Sequence, residues 1–268
     1  MLPFRRTEYV NADAGSGEWT GIFNEISPTI PLSTVISEPR RHQAGRSYQV
    51  PWNTAVRAHS VVGSSRNGGY VVRLGDTLRA APPTHGDGAG HFGFTGWDSA
   101  RTALYRNREL VGEQPADAAV WEVPAGTATY RLESAIQRGA RYTYSTEVTA
   151  AWTFTSGHTA GPEWTPVPVT TVRFSPPVDL TGTAPAGRAV RIPVRLDQQI
   201  ASRVRAVTVE VSYDDGSTWR RVPVTGSGTH RTVTVHHPVA AGFVSLRATA
   251  ATRGGTAEQT VIRAYAIN

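Results

Sequence analysis

Hydrophobic and polar residues alternate along most of this chain. Val207, Val209, Val211 and Tyr213 share one parity, and Thr208, Glu210 and Ser212 the other. A period of two puts each set on its own face of a strand, with one face buried. The longest alternation is Tyr144, Thr146, Val148, Ala150, Trp152 and Phe154 against Ser145, Glu147, Thr149, Ala151 and Thr153. It predicts a central strand. Val190, Ile192, Val194 and Leu196 alternate with Arg191, Pro193 and Arg195. Tyr48, Val50, Trp52, Thr54 and Val56 alternate with Gln49, Pro51, Asn53 and Ala55, which predicts a strand placed at an edge by Pro51. Shorter strands are predicted at 23–26, 34–36, 70–74, 232–235, 244–250 and 260–265. Apolar residues rarely recur at three-and-four spacing, and Pro and Gly interrupt most windows, so no helix is predicted.

Turn chemistry joins these runs. Asp214-Asp215-Gly216-Ser217 closes a hairpin that returns through Trp219 and Val222. Asn107-Arg108 closes another, between 102–105 and 109–111. Pro124-Ala125-Gly126-Thr127 predicts a third, between 119–123 and 128–132. The segment 82–98 reads as the main irregular loop. Residues 161–167 carry Gly, Pro and Trp without periodicity and read as a linker. The expected architecture is all-β, with two β-sandwich domains. Residues 1–160 are expected to be jelly-roll-like, and residues 168–268 immunoglobulin-like or fibronectin-like.

Composition narrows the function classes. The 268 residues are 39% hydrophobic and 18% charged, a globular balance. Cys is 0, which excludes disulfides and thiolate metal sites. The net charge is +6, and all of the basic charge is arginine. The arginines are dispersed, with pairs only at Arg5-Arg6, Arg40-Arg41 and Arg220-Arg221, whereas a nucleic-acid binder gathers its charge on one face. No nucleic acid is expected as a partner. No apolar run approaches the ~20 residues of a membrane span. Met1 to Arg6 has no apolar core of a signal peptide.

The candidate chemistry is sparse. There is no Gly-x-Ser-x-Gly elbow for a nucleophile, and no His-Glu-x-x-His for zinc. A triad assembled from distant residues remains open. His85, Asp87 and His91 share the glycine-rich loop and are the one candidate metal set. The preferred reading of that loop is a solvent-exposed segment packed over the sandwich end, because glycine-rich backbone lacks the preorganisation a metal site needs. No cofactor is therefore expected; calcium on Asp87 and loop carbonyls is the alternative. His236 and His237 are adjacent on a strand and point to opposite faces, so they cannot easily share an ion. Trp19, Trp52, Trp97 and Trp164 lie near loops or strand ends. They are candidates for stacking on sugar or peptide, against the ordinary role of aromatics as core or edge fillers. Ser212, Asp214, Gly216 and Trp219 match the Asp-box pattern, in which the carboxylate accepts backbone N–H bonds and the aromatic packs beneath the turn. Asp boxes repeat in sialidase-type propellers; this sequence holds one, so it reads as a well-made hairpin.

Three sets of residues together carry a resemblance. The first is Arg6-Thr7-Glu8-Tyr9-Val10-Asn11 with Ala44-Gly45-Arg46-Ser47-Tyr48 and Trp52-Asn53-Thr54-Ala55-Val56. The second is Leu104-Tyr105-Arg106-Asn107, Val123-Pro124-Ala125, Tyr130-Arg131-Leu132-Glu133 and Ala151-Trp152-Thr153-Phe154. The third runs from Val209 to Trp219, then Val244-Ser245-Leu246-Arg247-Ala248 and Ile262-Arg263-Ala264-Tyr265. As a set they resemble the C-terminal region of large secreted subtilisin-like serine peptidases of high-GC bacteria. The resemblance implies an extracellular, non-catalytic accessory region whose partner is a peptidase domain in the same polypeptide or gene neighbourhood, with protein or polysaccharide as material to hold. The family's nucleophile, base and orienting-acid stretches are absent here, so no catalytic residue is carried over. A stand-alone carbohydrate or cell-wall binding module and a hydrolase with an unfamiliar site are the rival expectations. At Ala251-Thr252-Arg253-Gly254-Gly255 the Asp and Asn of a calcium-binding repeat ending are missing.

Overall fold

The computed structural model describes residues 5–10, 17–26, 31–64 and 68–268. Met1 to Phe4 and Asn11, which entered the sequence reading, lie outside them. The described residues form strands and no helix. In the first half these are β1 (Ile22–Ile26), β2 (Pro31–Ile36), β3 (Val71–Leu74), β4 (Thr77–Ala80), β5 (Phe92–Thr95), β6 (Ser99–Arg106), β7 (Glu109–Gln114), β8 (Ala119–Glu122), β9 (Ala128–Gln137) and β10 (Glu147–Ser156). Then follow β11 (Thr165–Pro166), β12 (Thr170–Phe174), β13 (Thr183–Ala184), β14 (Ala189–Gln198), β15 (Val204–Ser212), β16 (Arg220–Val222), β17 (Val224–Ser227), β18 (His230–His236), β19 (Gly242–Thr252) and β20 (Gly255–Ile267).

One nine-stranded sheet runs through both halves of the chain, in the order β16-β15-β19-β20-β10-β9-β6-β7, with β13 added in parallel to β20. Two four-stranded sheets, β11-β3-β4-β8 and β12-β14-β18-β17, lie over it. A small sheet, β1-β2-β5, completes the structure. Each four-stranded sheet encloses its own core against the large one. Leu78, Ala80 and Trp121 meet Leu104, Tyr130, Leu132, Trp152 and Phe154 in one. Ile192, Val194, Val233 and Val235 meet Val209, Val211, Leu246 and Val261 in the other. The all-β sandwich expectation therefore stands as read. The alternation in β10 buries Val148, Ala150, Trp152 and Phe154, and β10 lies between β9 and β20 in the interior of the sheet. At β14, Val190, Ile192, Val194 and Leu196 are buried as their parity predicts.

The expected linker at 161–167 is not a break in the structure. Thr165–Pro166 pairs with β3, and Val167 and Val169 are buried in the first core. Gln199, just after β14, spans the two small sheets: its Nε2 donates to Val71 O (2.7 Å) and Val167 O (2.9 Å), and its Oε1 accepts from Tyr70 N (2.6 Å). On the outer face Arg131 of β9 reaches over β10 to Glu258 of β20 with two parallel bonds of 3.0 and 3.2 Å. It can do so because β10 places only the small Ala151 between Glu133 and Glu258. Glu133 and Glu113 extend this ladder through Arg101 to β7. Exposed ion pairs add little stability, but this one crosses the seam between the halves.

Two further expectations are corrected. Residues 119–123 and 128–132 do not pair with each other: β8 pairs with β4, while β9 pairs with β6 and β10. The turn after Val123 carries the chain from one sheet to the facing one, so both alternations bury their apolar sides in the same core. The predicted strand at 48–56 is extended loop. Tyr48 and Val50 are exposed, and Asn53 has a positive φ of 52°. The segment is tied down by single bonds, Val56 N to Phe174 O and Gly88 N to Thr54 O, and not by a ladder. By contrast the hairpin at Asn107-Arg108 forms as expected, with φ of 51° and 76°, the left-handed pair that a tight turn between twisted strands needs.

Candidate functional site

The glycine-rich loop is a buried plug and not the solvent-exposed segment expected. Its backbone is bonded on both sides: Ser60 N to Pro83 O, Ala58 N to Gly86 O and Gly86 N to Ala58 O, and His85 N to Gly93 O, at 2.7–3.0 Å. Glycine is required for this closeness, since a Cβ at Gly88 would stand 2.2 Å from Ala55 O. Asp87 is buried with both carboxylate oxygens occupied. Oδ1 accepts from Ala89 N and His91 N, each at 3.0 Å, and Oδ2 from His91 Nδ1 at 3.0 Å and Thr54 N at 3.3 Å. A carboxylate can only accept here, so His91 carries its proton on Nδ1. The His91 ring stacks on Trp52, centroids 4.2 Å apart and 14° from parallel.

His85 faces another way. Arg138 Nη1 lies 2.9 Å from His85 Nδ1. A guanidinium has no acceptor, so Nδ1 accepts, and Nε2 carries the proton and donates to Asn53 Oδ1 at 3.2 Å. Asn53 also takes the Arg57 guanidinium on its Oδ1 and its backbone oxygen. Arg138 is completely buried and donates from Nε to Ser145 O (2.7 Å), from Nη1 to Thr84 O (3.4 Å) and from Nη2 to Arg57 O (3.2 Å). Burial first, then the charges of Arg138 and Arg57, push the His85 imidazolium well below its ordinary range. Both nitrogens of His85 and both oxygens of Asp87 are thus spent on the protein itself. Among the described residues no three His, Asp or Glu side chains converge as a metal needs.

A Ser–His contact also lies inside. His59 Nε2 is 2.9 Å from Ser134 Oγ, and both residues are buried. No acid orients His59, whose Nδ1 has no partner, and its ring meets Trp152 edge-on. Burial, and secondarily Arg138, depress its pKa to about 3. A base that weak, sealed from solvent, cannot activate a hydroxyl for attack on an outside substrate.

The four candidate stacking tryptophans do not form one platform: Trp19 is exposed on an isolated bridge to Arg40. Trp52 is covered by His91, Trp164 lies against the Arg79 guanidinium at 4.8 Å, and Trp97 is half-buried between β5 and β6.

The hairpin after β15 is built as its motif implies. Ser212 Oγ bonds Asp214 Oδ1 (2.6 Å) and accepts from Gly216 N (2.9 Å); Asp214 accepts from Thr218 N (2.9 Å) and from the Thr218 hydroxyl. Asp215 and Gly216 take positive φ, 54° and 87°. The Ser212 and Thr218 hydroxyls, then the Thr218 amide, lower the Asp214 carboxyl to about 2. The motif predicts that Trp219 packs beneath the turn and is largely buried. It is half-buried, with the Arg247 guanidinium 4.6 Å over its ring. Trp219→Ala is accordingly expected to cost about 1.5–3 kcal/mol, less than a full core deletion. The same urea titration should show a lower midpoint for Asp214→Ala; unchanged midpoints for both variants would make the motif incidental to the fold.

Beside this hairpin opens a cleft of about 460 Å³, which motif reading missed. Tyr213, Asp214, Trp219, Arg220, His236 and His237 line it. His236 is exposed and His237 buried, the opposite orientations expected of neighbours on a strand. His237 is held by a relay. Tyr265 OH donates to Nε2 (3.3 Å), Nδ1 donates to Tyr213 OH (3.2 Å), and Tyr213 OH donates to His236 O (3.1 Å). Burial lowers the His237 pKa, which keeps the ring neutral and the relay in one tautomer. The signal in the sequence was His236-His237-Pro238 following an alternating strand, but nothing there says that it faces Tyr213 and Arg220. No protein-family model matches this chain, and no curated protein aligns with it significantly.

Proposed function

We propose that this chain is a non-catalytic accessory region of a secreted, subtilisin-like serine peptidase, working outside the cell beside a peptidase domain that belongs to the same polypeptide or gene neighbourhood. What carries the reading is where the resembling residues fall. Tyr130 to Glu133, Ala151 to Phe154, Ile262 to Tyr265, Val244 to Ala248 and Val209 to Ser212 sit on β9, β10, β20, β19 and β15, five strands that are neighbours in one sheet. Blocks scattered over the sequence thus describe a single surface and core, as a shared structural unit would. The buried polar groups support the same reading, because His59, His85, Asp87 and Arg138 are consumed as struts. Ile22 and Ile26 on β1 and Phe94 on β5 are exposed around the polar pair Asn24 and Thr34, apolar area available for packing against a larger body.

The purified chain should not hydrolyse casein or a broad set of fluorogenic peptides, with or without a serine-directed covalent inhibitor. Inhibitor-sensitive turnover that maps to a labelled serine of this chain would overturn the proposal in favour of a hydrolase. An in-frame sequence encoding a peptidase triad upstream of Met1 would support it. The stand-alone carbohydrate or cell-wall module remains the second reading, favoured by the open aromatic cleft beside Trp219.

A further inference from the structure

We propose that the cleft between the Asp-box hairpin and His236-His237-Pro238 binds an acidic saccharide, a sugar chain whose rings carry carboxylates. The proposal goes beyond the accessory reading and holds whether or not a peptidase adjoins the chain.

The walls are of two kinds. Tyr213 and Trp219 supply aromatic surface, half-buried and therefore partly open to a ligand. Sugar rings present an apolar C–H face that suits such surface, while their hydroxyls need a polar rim. The rim here is rich in donors. Arg220 and His236 are exposed in the cleft, and among the described residues Arg220 has no carboxylate partner, its contact being with the Tyr213 hydroxyl. The neighbouring arginines differ: Arg247 is paired with Glu210 and Arg263 with Asp215. The one acid in the wall, Asp214, already accepts from Ser212 and Thr218. A guanidinium with no ion pair of its own, beside a donor imidazole, favours a ligand that brings its own carboxylate, because a guanidinium fork matches that group in two bonds.

The site is also rigid. The Asp214 turn is bonded within itself, the Tyr213 hydroxyl is pinned by the His237 relay, and Arg247 backs the Trp219 ring. Preformed walls spare a ligand the entropy of ordering them. A peptide is the weaker fit. Peptides commonly dock by adding a strand to a sheet edge, and the edge here is the three-residue β16, closed at once by Pro223.

The test uses the full chain with a tetramer of α-1,4-linked galacturonate as probe, followed by calorimetry and by the indole N–H resonance of Trp219. Saturable binding with movement of that resonance is expected. The matching neutral galactose oligomer should bind about tenfold more weakly or worse, as should the probe to Arg220→Ala and to His236→Ala. Both variants are surface changes, and their urea midpoints should match that of the parent. Arg221→Ala removes an equal charge from the next position, which points to the other face, and should leave binding intact. Absence of binding at millimolar probe would overturn the proposal, as would equal affinity for the neutral oligomer. An equal loss in Arg221→Ala would reduce it to diffuse charge attraction, and tighter binding of tetraglutamate would reassign the cleft to acidic peptide.

Discussion

Between pH 6 and pH 4.5 the protein should lose stability steadily, at about 1 kcal/mol per pH unit or more, beginning above the pH at which its carboxylates titrate. The cause is two imidazoles that the fold keeps neutral. His59 is depressed to about 3 and His85 is pushed well below its ordinary value, each chiefly by burial. In the unfolded chain both return to about 6.5. Below that pH the unfolded state binds protons that the folded state refuses, so stability is full above about 6.5 and falls as the pH drops toward the folded values, at about 1.4 kcal/mol per unit for each group. The buried His237 acts in the same direction. Carboxyls held low, such as Asp214 at about 2, withdraw their contribution only below the unfolded carboxylate value of about 4, so the window above 4.5 belongs to the histidines. Over that window His59 alone removes about 2 kcal/mol, and His85 adds to it, a sizeable share of the 5–15 kcal/mol by which domains are stable at all. Urea midpoints measured at pH 7, 6, 5 and 4.5 read this directly. A flat profile from pH 7 to 5 would mean that both imidazoles protonate inside the native protein.

Arg138→Ala should cost about 3–4 kcal/mol at neutral pH. The substitution leaves Ser145 O, Thr84 O, Arg57 O and His85 Nδ1 in a dry interior without their donor. Each orphaned acceptor costs about 1–3 kcal/mol, partly offset because a buried cation with no carboxylate contact is also removed. Arg138→Lys keeps the charge but cannot reproduce the planar fork, so it should recover only part of the loss. The variant carries a second signature. Without Arg138 the imidazoles of His59 and His85 lose a nearby positive charge, and their folded pKa values rise. The acid-induced loss should then level off at a higher pH than in the parent. Denaturation midpoints of Arg138→Ala within error of the parent at pH 7 would show that water replaces the guanidinium without penalty.

The parts of this fold that sequence made legible are those where one face of a strand meets water. In β14 the arginines and proline of one parity and the Val, Ile and Leu of the other declare their sides, and the structure buries the expected set. The same local rule misled at 48–56, where alternation is present but no neighbouring strand supplies a ladder. Period two describes which way side chains point; it does not name a partner. The glycine loop departs from its expected exposure for a related reason. Gly-Asp-Gly-Ala-Gly signals a flexible backbone, yet Asn53, Thr54 and Arg138, which fix His85 and Asp87, lie dozens of residues away. Arg138 itself, between Gln137 and Gly139, carried no mark of the burial it undergoes. The stretch at 161–167 lacked periodicity because a two-residue strand is too short to show any, and the bonds that make it part of the body come from Gln199 and β3. The Asp-box hairpin was readable in its turn bonds, since all of its partners are within a few residues, but the cleft it borders needed His236, His237 and Tyr265 from other strands.

The shared sheet sets a timetable for synthesis. β10 is complete at Ser156, with β9 already available on one side, but its other neighbour, β20, starts only at Gly255. At ribosomal speeds of about 5–20 residues per second, that leaves an open edge waiting roughly 5–20 s for its partner. The waiting edge is apolar on one side, with Val148, Trp152 and Phe154, and it presents unpaired amides, the combination from which misassembly between nascent chains begins. Closing such distant pairs is slow in itself, because chain entropy must be surrendered before the contacts form. A cell making this protein therefore has reason to keep the chain sheltered, or extended in transit, until Gly255–Ile267 can add itself to the seam.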